Sequence, residues 1–494
     1  MSLRSASRQI WQAATRPLAR PLTRQLALAG LVSIIGLSWL PPAAVAQTGS
    51  TSAQVAVLQA MPKLAGAPAT SRQAQMAALG YVEQELLIKG QSQAFEPASE
   101  WRKDGIWPLK ELGTPQPFAT RVLVRRPQDP ARFNGTVLVE WLNTSLGFDL
   151  DGAWALTRDE LVRDGYAWVG VSAEAASVES LKSADPARYA PTSVAHSGHA
   201  FDIFTQAAER IRQMAPQWGT GSTQPIKVLA LGYSQSGSFL ITYINAFQPR
   251  THAFNGFYAM STAAVGMKIE ADGGRIFNTA YRPDLEVPVM QVSNEMEVVV
   301  GWQLSKTPDT DKLRHWEMAG ATHLDRHMQE EVLAAGTHAS RLAMPNCWKP
   351  SNVLPTRMFN HAALHALNIW VRQGTPPPIA PRMTRSSWGF LQDDELGNVK
   401  GGLRMPELDV PTAQYGLYSN LPRSPISAWT AYACMAGGSA NPLDAKVLRA
   451  RYPDEASYVQ AYKQAADKLL AAGFLLPQDH AVLLKQAQAF KLPR

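Results

Sequence analysis

The chain has little cysteine: only Cys347 and Cys434 occur among its 494 residues. That excludes a thiolate zinc cluster and a disulfide-dense mini-scaffold. It has no H-E-x-x-H run, so the helical zinc-hydrolase site is excluded too. Long apolar runs are missing. The stretch Leu26 to Leu40 covers about 15 residues, short of the roughly 20 that a membrane span needs. Acidic residues are absent from positions 1–46, where Arg4, Arg8, Arg16, Arg20 and Arg24 stand. With the apolar stretch, Pro41-Pro42 and the small-residue pattern Ala44-Val45-Ala46, this segment reads as a signal peptide cleaved after Ala46. The expected location is the periplasm or the medium, with no stable membrane span left. No paired arginines call for the folded-protein export route. Without residues 1–46 the net charge falls from +7 to +2, so a basic nucleic-acid surface is not expected. In an exported chain the two cysteines predict one disulfide, Cys347–Cys434. It would close a loop of roughly 90 residues and contribute about 4 kcal/mol if unstrained.

What remains is the composition of an ordered globular protein, 46% hydrophobic and 18% charged,. Regular patterning begins at Phe118. Phe118–Val124, Thr136–Leu142, Tyr166–Val171, Ile226–Gly232, Phe254–Met260, Val287–Val292 and Leu313–Met318 read as strands. Trp154–Arg163, Phe201–Met214 and Phe239–Phe247 read as helices between them. Such alternation predicts a mostly parallel sheet with helices on both faces. The expected organisation is an N-terminal extension over 47–117, a core over 118–344, and a C-terminal extension over 345–494 packed on that core. Residues 47–75 look like a flexible lead-in. The stretch 174–197, without strong period, is a candidate cap. The insert of about 26 residues between Met260 and Val287 is too short for a large lid.

The strand at Ile226 runs into Gly232-Tyr233-Ser234-Gln235-Ser236-Gly237, and a helix follows. This is the setting of a nucleophile elbow. The sharp turn needs small residues two places before and after the nucleophile, and Gly232 and Ser236 supply them. Ser234 is the candidate nucleophile and Ser236 the weaker alternative. The ordinary reading of such a serine is a helix N-cap. His323, in the loop after the last strand, is the candidate base. His327 follows four residues on, and His315 lies within the strand. The acid should follow Val287–Val292, where Glu297 leads and Glu295 is the alternative. Asp325 and Asp284 are poorly placed. The His196/His199, His323/His327 and His361/His365 pairs have helical ligand spacing but read as polar or core-edge histidines. No cofactor or metal is implied. One oxyanion donor should be the Gln235 N–H, and the other should come from the loop opening at Asn143.

Gly232-Tyr233-Ser234-Gln235 resembles the elbow of cutinases and many α/β-hydrolase-fold esterases. Val139-Glu140-Trp141-Leu142-Asn143, Asp185-Pro186-Ala187-Arg188-Tyr189, Cys434 and Tyr452-Pro453 with Tyr458 resemble a family of large bacterial α/β-hydrolase domain proteins. That resemblance covers most of the chain after residue 46. It implies the α/β-hydrolase fold and a serine hydrolase acting on a small-molecule ester. It favours Glu297 by its offset from Val292, and it points to Leu142 or Asn143 as second oxyanion donor. The absence of an H-G-G-G run separates the chain from the lipases that carry one. Acyl transfer or amide cleavage by the same residues, and a non-catalytic binding protein on this fold, are the alternatives.

Overall fold

The computed structural model describes residues 56–61, 68–219, 225–270, 273–300, 307–335, 342–417 and 420–493. They belong to one compact unit, Ser52–Arg494. The signal segment and residues 47–55 and 62–67 of the lead-in lie outside the described residues.

Nine strands form one sheet: β1 (Val57–Ala60), β2 (Tyr81–Pro97), β3 (Leu109–Pro127), β4 (Thr136–Trp141), β5 (Ala167–Val171), β6 (Lys227–Tyr233), β7 (Gly256–Met260), β10 (Val289–Asn294) and β11 (Leu313–Met318). The short hairpin β8 (Val265–Met267) and β9 (Arg275–Phe277) stands apart and fills the insert after β7. Spatial order is β1-β2-β3-β5-β4-β6-β7-β10-β11. The first three strands and the β3–β5 pair are antiparallel, and every pair from β5 to β11 is parallel. Strands buried on both faces explain the near-continuous apolar runs. Along β4, Leu138 enters one core and Val137 and Val139 the other.

Helices α1 (Gly152–Arg163), α2 (Ala175–Ala184), α3 (Ala200–Met214), α4 (Gln235–Thr242), α5 (Glu295–Val300), α6 (Arg326–Leu333), α7 (Arg357–Gln373) and α8 (Ala428–Gly437) follow in chain order. Trp154 and Leu161 of α1 share a core with Leu364 and Leu367 of α7 on one face. Phe201 and Phe204 of α3 meet Phe239 of α4 on the other. The architecture is the α/β-hydrolase fold, as expected. The stretch from Glu174 is helical for ten residues, where the sequence showed no period.

The boundary expected at residue 118 falls inside β3, and β1 and β2 are strands of the main sheet. The regular pattern starts earlier than hydrophobicity shows because β2 turns charge inward. Glu83 receives Arg125 Nε at 2.8 Å, and Glu85 receives Arg188 Nη1 at 2.9 Å. Asp151 holds Arg72 Nε at 2.7 Å and Arg125 Nη1 at 2.6 Å, and Asp149 holds Arg121 Nη2 at 2.7 Å. The side chains of Arg72, Arg121 and Arg125 are wholly buried. The Asp185–Tyr189 motif serves this network: Tyr189 donates to Glu85 at 2.7 Å and accepts the Ala69 N–H at 2.9 Å. Glu140 has a similar structural task. It receives the Ala153 and Trp154 N–H groups and Trp168 Nε1, at 2.8, 2.9 and 2.8 Å, and so anchors the start of α1.

The boundary at 345 is equally porous, since α7 covers the sheet beside α1. The expected disulfide joins Cys347 to Cys434 with Cα atoms 5.6 Å apart.

Candidate active site

Chain order reverses beside β4: the crossover from β4 leads to β5 on one side, while β6 lies on the other. Ligand crevices form at the carboxyl ends of strands at such a point. The loop after β4 and the turn after β6 both open there.

The turn after β6 holds Ser234 at φ 60°, ψ −118°, between a strand and the first turn of α4. A non-glycine residue held there costs about 1–3 kcal/mol, a strain that concentrates at functional sites. A Cβ at position 232 would stand 2.6 Å from the Ser236 carbonyl oxygen, so only glycine fits. Ser236 is accommodated because its hydroxyl folds inward. It donates to the Tyr233 carbonyl at 2.9 Å and accepts the Tyr233 N–H at 3.0 Å. Ser236 is fully buried, whereas Ser234 is partly exposed. The hydroxyl of Ser236, the alternative nucleophile, is thus engaged with the backbone of the turn.

Of the two glutamates after β10, Glu297 meets the histidine: its Oε1 lies 2.6 Å from His323 Nδ1. Its Oε2 accepts the Asn294 N–H at 2.8 Å. Both side chains are nearly buried, at 7% and 10% exposure. Glu295 instead accepts the Gly320 N–H at 2.8 Å, and burial pushes its carboxyl up to about 7. Tyr233, the residue before Ser234, stacks on the His323 ring with centroids 5.3 Å apart. Its hydroxyl donates to the His323 carbonyl.

The rival residues have other partners. His327 Nε2 lies 3.1 Å from the Ala155 carbonyl oxygen. His315 is buried against Ser293 at 3.0 Å, and desolvation holds its imidazole well below its ordinary value. Asp325 caps α6 by accepting the Met328 N–H at 2.9 Å, and Asp284 pairs with Arg282 at 2.7 Å. His199 lies 3.1 Å from the Ser92 hydroxyl, and His196 accepts the Gly198 N–H. His361 Nδ1 pairs with Asp479 at 2.8 Å. Among the described residues, Glu160, Asp164 and His365 are close enough to share a metal ion. Arg163 already donates to Glu160 at 2.9 Å, and hydrogen bonds to Asp164 and Glu160 push His365 up to about 9. The cluster reads as an ion-pair network.

The expectation for the second oxyanion donor needs correction. The Asn143 N–H donates to the Leu150 carbonyl at 3.1 Å, and its Nδ2 donates to the Tyr233 carbonyl at 2.8 Å. The Leu142 N–H donates to Val171 at 3.2 Å. Both amides are already paired with backbone carbonyls. Asn143 is the strut between the β4 loop and the elbow. The next amide, Thr144, points to residue 235 instead: its N–H donates to Gln235 Oε1 at 3.2 Å.

Sequence reading also missed what supports His323. Asn352, wholly buried, donates from Nδ2 to the Gly320 carbonyl at 2.7 Å and from its N–H to Gly437 at 3.0 Å. Its carbonyl accepts the Arg326 N–H at 2.8 Å. The Leu324 N–H donates to Ala436 at 2.9 Å, and the Thr322 hydroxyl to Gly437 at 3.2 Å. Residues on both sides of His323 are thus tied to α8, the helix that carries Cys434. One buried asparagine in a loop has no period or motif, so no pattern could have found it.

The fold and this constellation define an α/β hydrolase-type protein. The chain belongs to the alpha/beta hydrolase domain family, whose model matches residues 46–485. No curated protein matches the sequence significantly. Among solved structures it is similar to the esterase Est22, at 11% identity and TM-score 0.31, over 55% of this chain and 83% of that one. A serine hydrolase without lid from Xanthomonas campestris is similar at 11% identity and TM-score 0.29, over 51% and 94%. A glucuronoyl esterase from Solibacter usitatus is similar at 10% identity and TM-score 0.29, over 58% and 88%.

Proposed function

We propose that the protein hydrolyses carboxylic esters through an acyl-enzyme, with Ser234 as nucleophile, His323 as general base and acid, and Glu297 as the group that orients the imidazole. The observation that carries this reading is the His323–Glu297 hydrogen bond beside a serine in a strained strand-to-helix turn. Ser234 Oγ bonds to the ester carbon as its proton passes to His323 Nε2, and the carbonyl electron pair moves onto oxygen. When the tetrahedral species collapses, the carbon–alkoxy bond breaks and the alcohol leaves with the proton from His323. Water then repeats the cycle on the acyl-enzyme and frees the acid. Glu297 stabilises the imidazolium formed at each step. The chemistry uses the chain's own residues throughout.

Ser234→Ala tests this. Turnover of p-nitrophenyl acetate should fall by about 10⁴-fold or more, and labelling by a fluorophosphonate should vanish. A variant with undiminished turnover sinks the proposal. We further propose export with cleavage after Ala46. The disulfide supports that reading, because such bonds persist in oxidising compartments,. N-terminal sequencing of protein from the periplasm or medium tests it, and a mature chain that keeps Arg4–Arg24 overturns it.

A further inference from the structure

Asn294 closes β10, is 3% exposed and has polar contacts in three directions. Its N–H donates to Glu297 Oε2 at 2.8 Å. Its Nδ2 donates to the Thr322 carbonyl at 3.0 Å and to the Ser261 hydroxyl at 3.1 Å. A carbonyl oxygen can only accept, so the atom facing Thr322 is the amide nitrogen. Nδ2 has two protons, and each has its acceptor.

The three contacts lead to the three proposed catalytic residues. Glu297 is the acid itself. Thr322 directly precedes His323. Ser261 follows Met260, whose carbonyl accepts the Ser234 N–H at 2.9 Å. Ser261 stands at φ 47°, a conformation that a non-glycine residue keeps only where its surroundings over-determine it,. Strand β10 does so. The Ser261 N–H donates to the Val292 carbonyl at 2.8 Å, and the Thr262 carbonyl accepts Gln291 Nε2 at 2.8 Å and the Ser293 hydroxyl at 3.1 Å. The peptide after His323 is held from the elbow, where the Tyr233 hydroxyl donates to the His323 carbonyl. The main chain of the histidine is therefore clamped before and after, by Asn294 and by the neighbour of Ser234.

We propose that Asn294 is the positioning residue of this site. It holds the acid by its N–H and the histidine loop by its carboxamide, so a single residue spans the 2.6 Å pair of Glu297 and His323. The inference rests on the Ser234 reading above. Asn294 acts through His323: it fixes the direction in which Nε2 points when the serine proton moves. Proton transfer needs heavy atoms about 2.6–3.2 Å apart in the reacting complex, and a misplacement of about 1 Å can cost about 10²-fold in rate.

Two variants and one structure test this. Asn294→Leu keeps the backbone N–H and nearly the side-chain volume but removes both donors. Its kcat for p-nitrophenyl acetate should fall by about 10²-fold while KM holds, because the loss falls on the step in which His323 moves the proton. The acid limb of its kcat/KM profile should move to lower pH, because a carboxylate no longer aligned on Nδ1 favours the imidazolium less. Ser261→Gly suits the left-handed backbone and removes one acceptor but leaves the bond to Thr322, so its kcat should fall less. In wild-type protein labelled with a fluorophosphonate, Asn294 Nδ2 should remain on the Thr322 carbonyl and Glu297 on His323. Wild-type kcat with an unmoved acid limb in Asn294→Leu overturns the inference. So does a Ser261→Gly variant that loses as much kcat, which would assign the effect to the turn after β7. Should Asn294→Leu fail to fold, the labelled structure decides: a carboxamide turned away from Thr322, with His323 still on Glu297, overturns it. Full turnover by Ser234→Ala defeats the hydrolase reading itself. Its loss, together with wild-type kinetics in Asn294→Leu, defeats only this assignment.

Discussion

The two ends of the chain join the same core by different physics. The N-terminal strands are held by ions. Arg72, Arg121 and Arg125 lie wholly buried against Asp149, Asp151, Glu83 and Glu85. The C-terminal segment is held by main-chain hydrogen bonds at Asn352, Ala436 and Gly437, and within it one disulfide ties α8 back to Cys347. Buried ion pairs add little net stability, since desolvation offsets most of their attraction, but they tolerate no missing partner. They therefore fix which residues of β2 and β3 face inward. Main-chain bonds do something else at the other end, where they set the position of a loop. The loop they set carries His323.

The comparison is broken most severely at Asp151. Asp151→Asn leaves Arg72 and Arg125 under-compensated in the interior. It should cost about 3–5 kcal/mol, measured as a lower urea midpoint. Kinetics of whatever remains folded should match the wild type. On the other side, Cys434→Ser should cost about 2–4 kcal/mol of stability and also reduce kcat, because α8 is then pinned less firmly against Leu324 and Thr322. A stability loss with wild-type kcat would show that the disulfide has no part in setting the His323 loop. Asn352→Ala leaves the Gly320 carbonyl without its buried donor, for about 1–3 kcal/mol. Here kcat should drop while KM holds, and the His323 Nδ1 proton resonance should shift. An unmoved resonance with unaltered kcat reduces Asn352 to a packing residue.

The smallest expected effect is a slope. The C-terminal segment has an ionic tie of its own, His365 with Glu160 and Asp164, but this one is 40% exposed on the histidine side. Its imidazole is raised from 6.5 to about 9 in the folded protein. The contribution is complete below pH 6.5, where both states are protonated, and is lost as pH climbs through about 9,. Solvent screening holds it to about 1 kcal/mol. His365→Gln should flatten stability between those pH values, while a slope that persists assigns it to other groups.

The parallel half of the sheet was legible because strands buried on both faces must be apolar. The elbow was legible because its turn allows few residues at position 232. Strand β2 was not, since Glu83 and Glu85 point inward and carry the signature of surface residues. The choice between Glu295 and Glu297 depended on which carboxylate met a histidine across a loop and which met the Gly320 N–H, a difference of two residues without local pattern. Asn143 misled for a related reason. A loop opening after the right strand says where a donor must come from, but not which amide already has an acceptor within its own hairpin.

The inward hydroxyl of Ser236 bears on how such proteins are found. A search pattern that demands glycine two places after Ser234 passes over this chain. What the turn requires is a small residue whose polar atom can close on the backbone beside it. A serine there acts as a staple across the bend, and stiffness at that point comes from a side chain instead of from the lack of one.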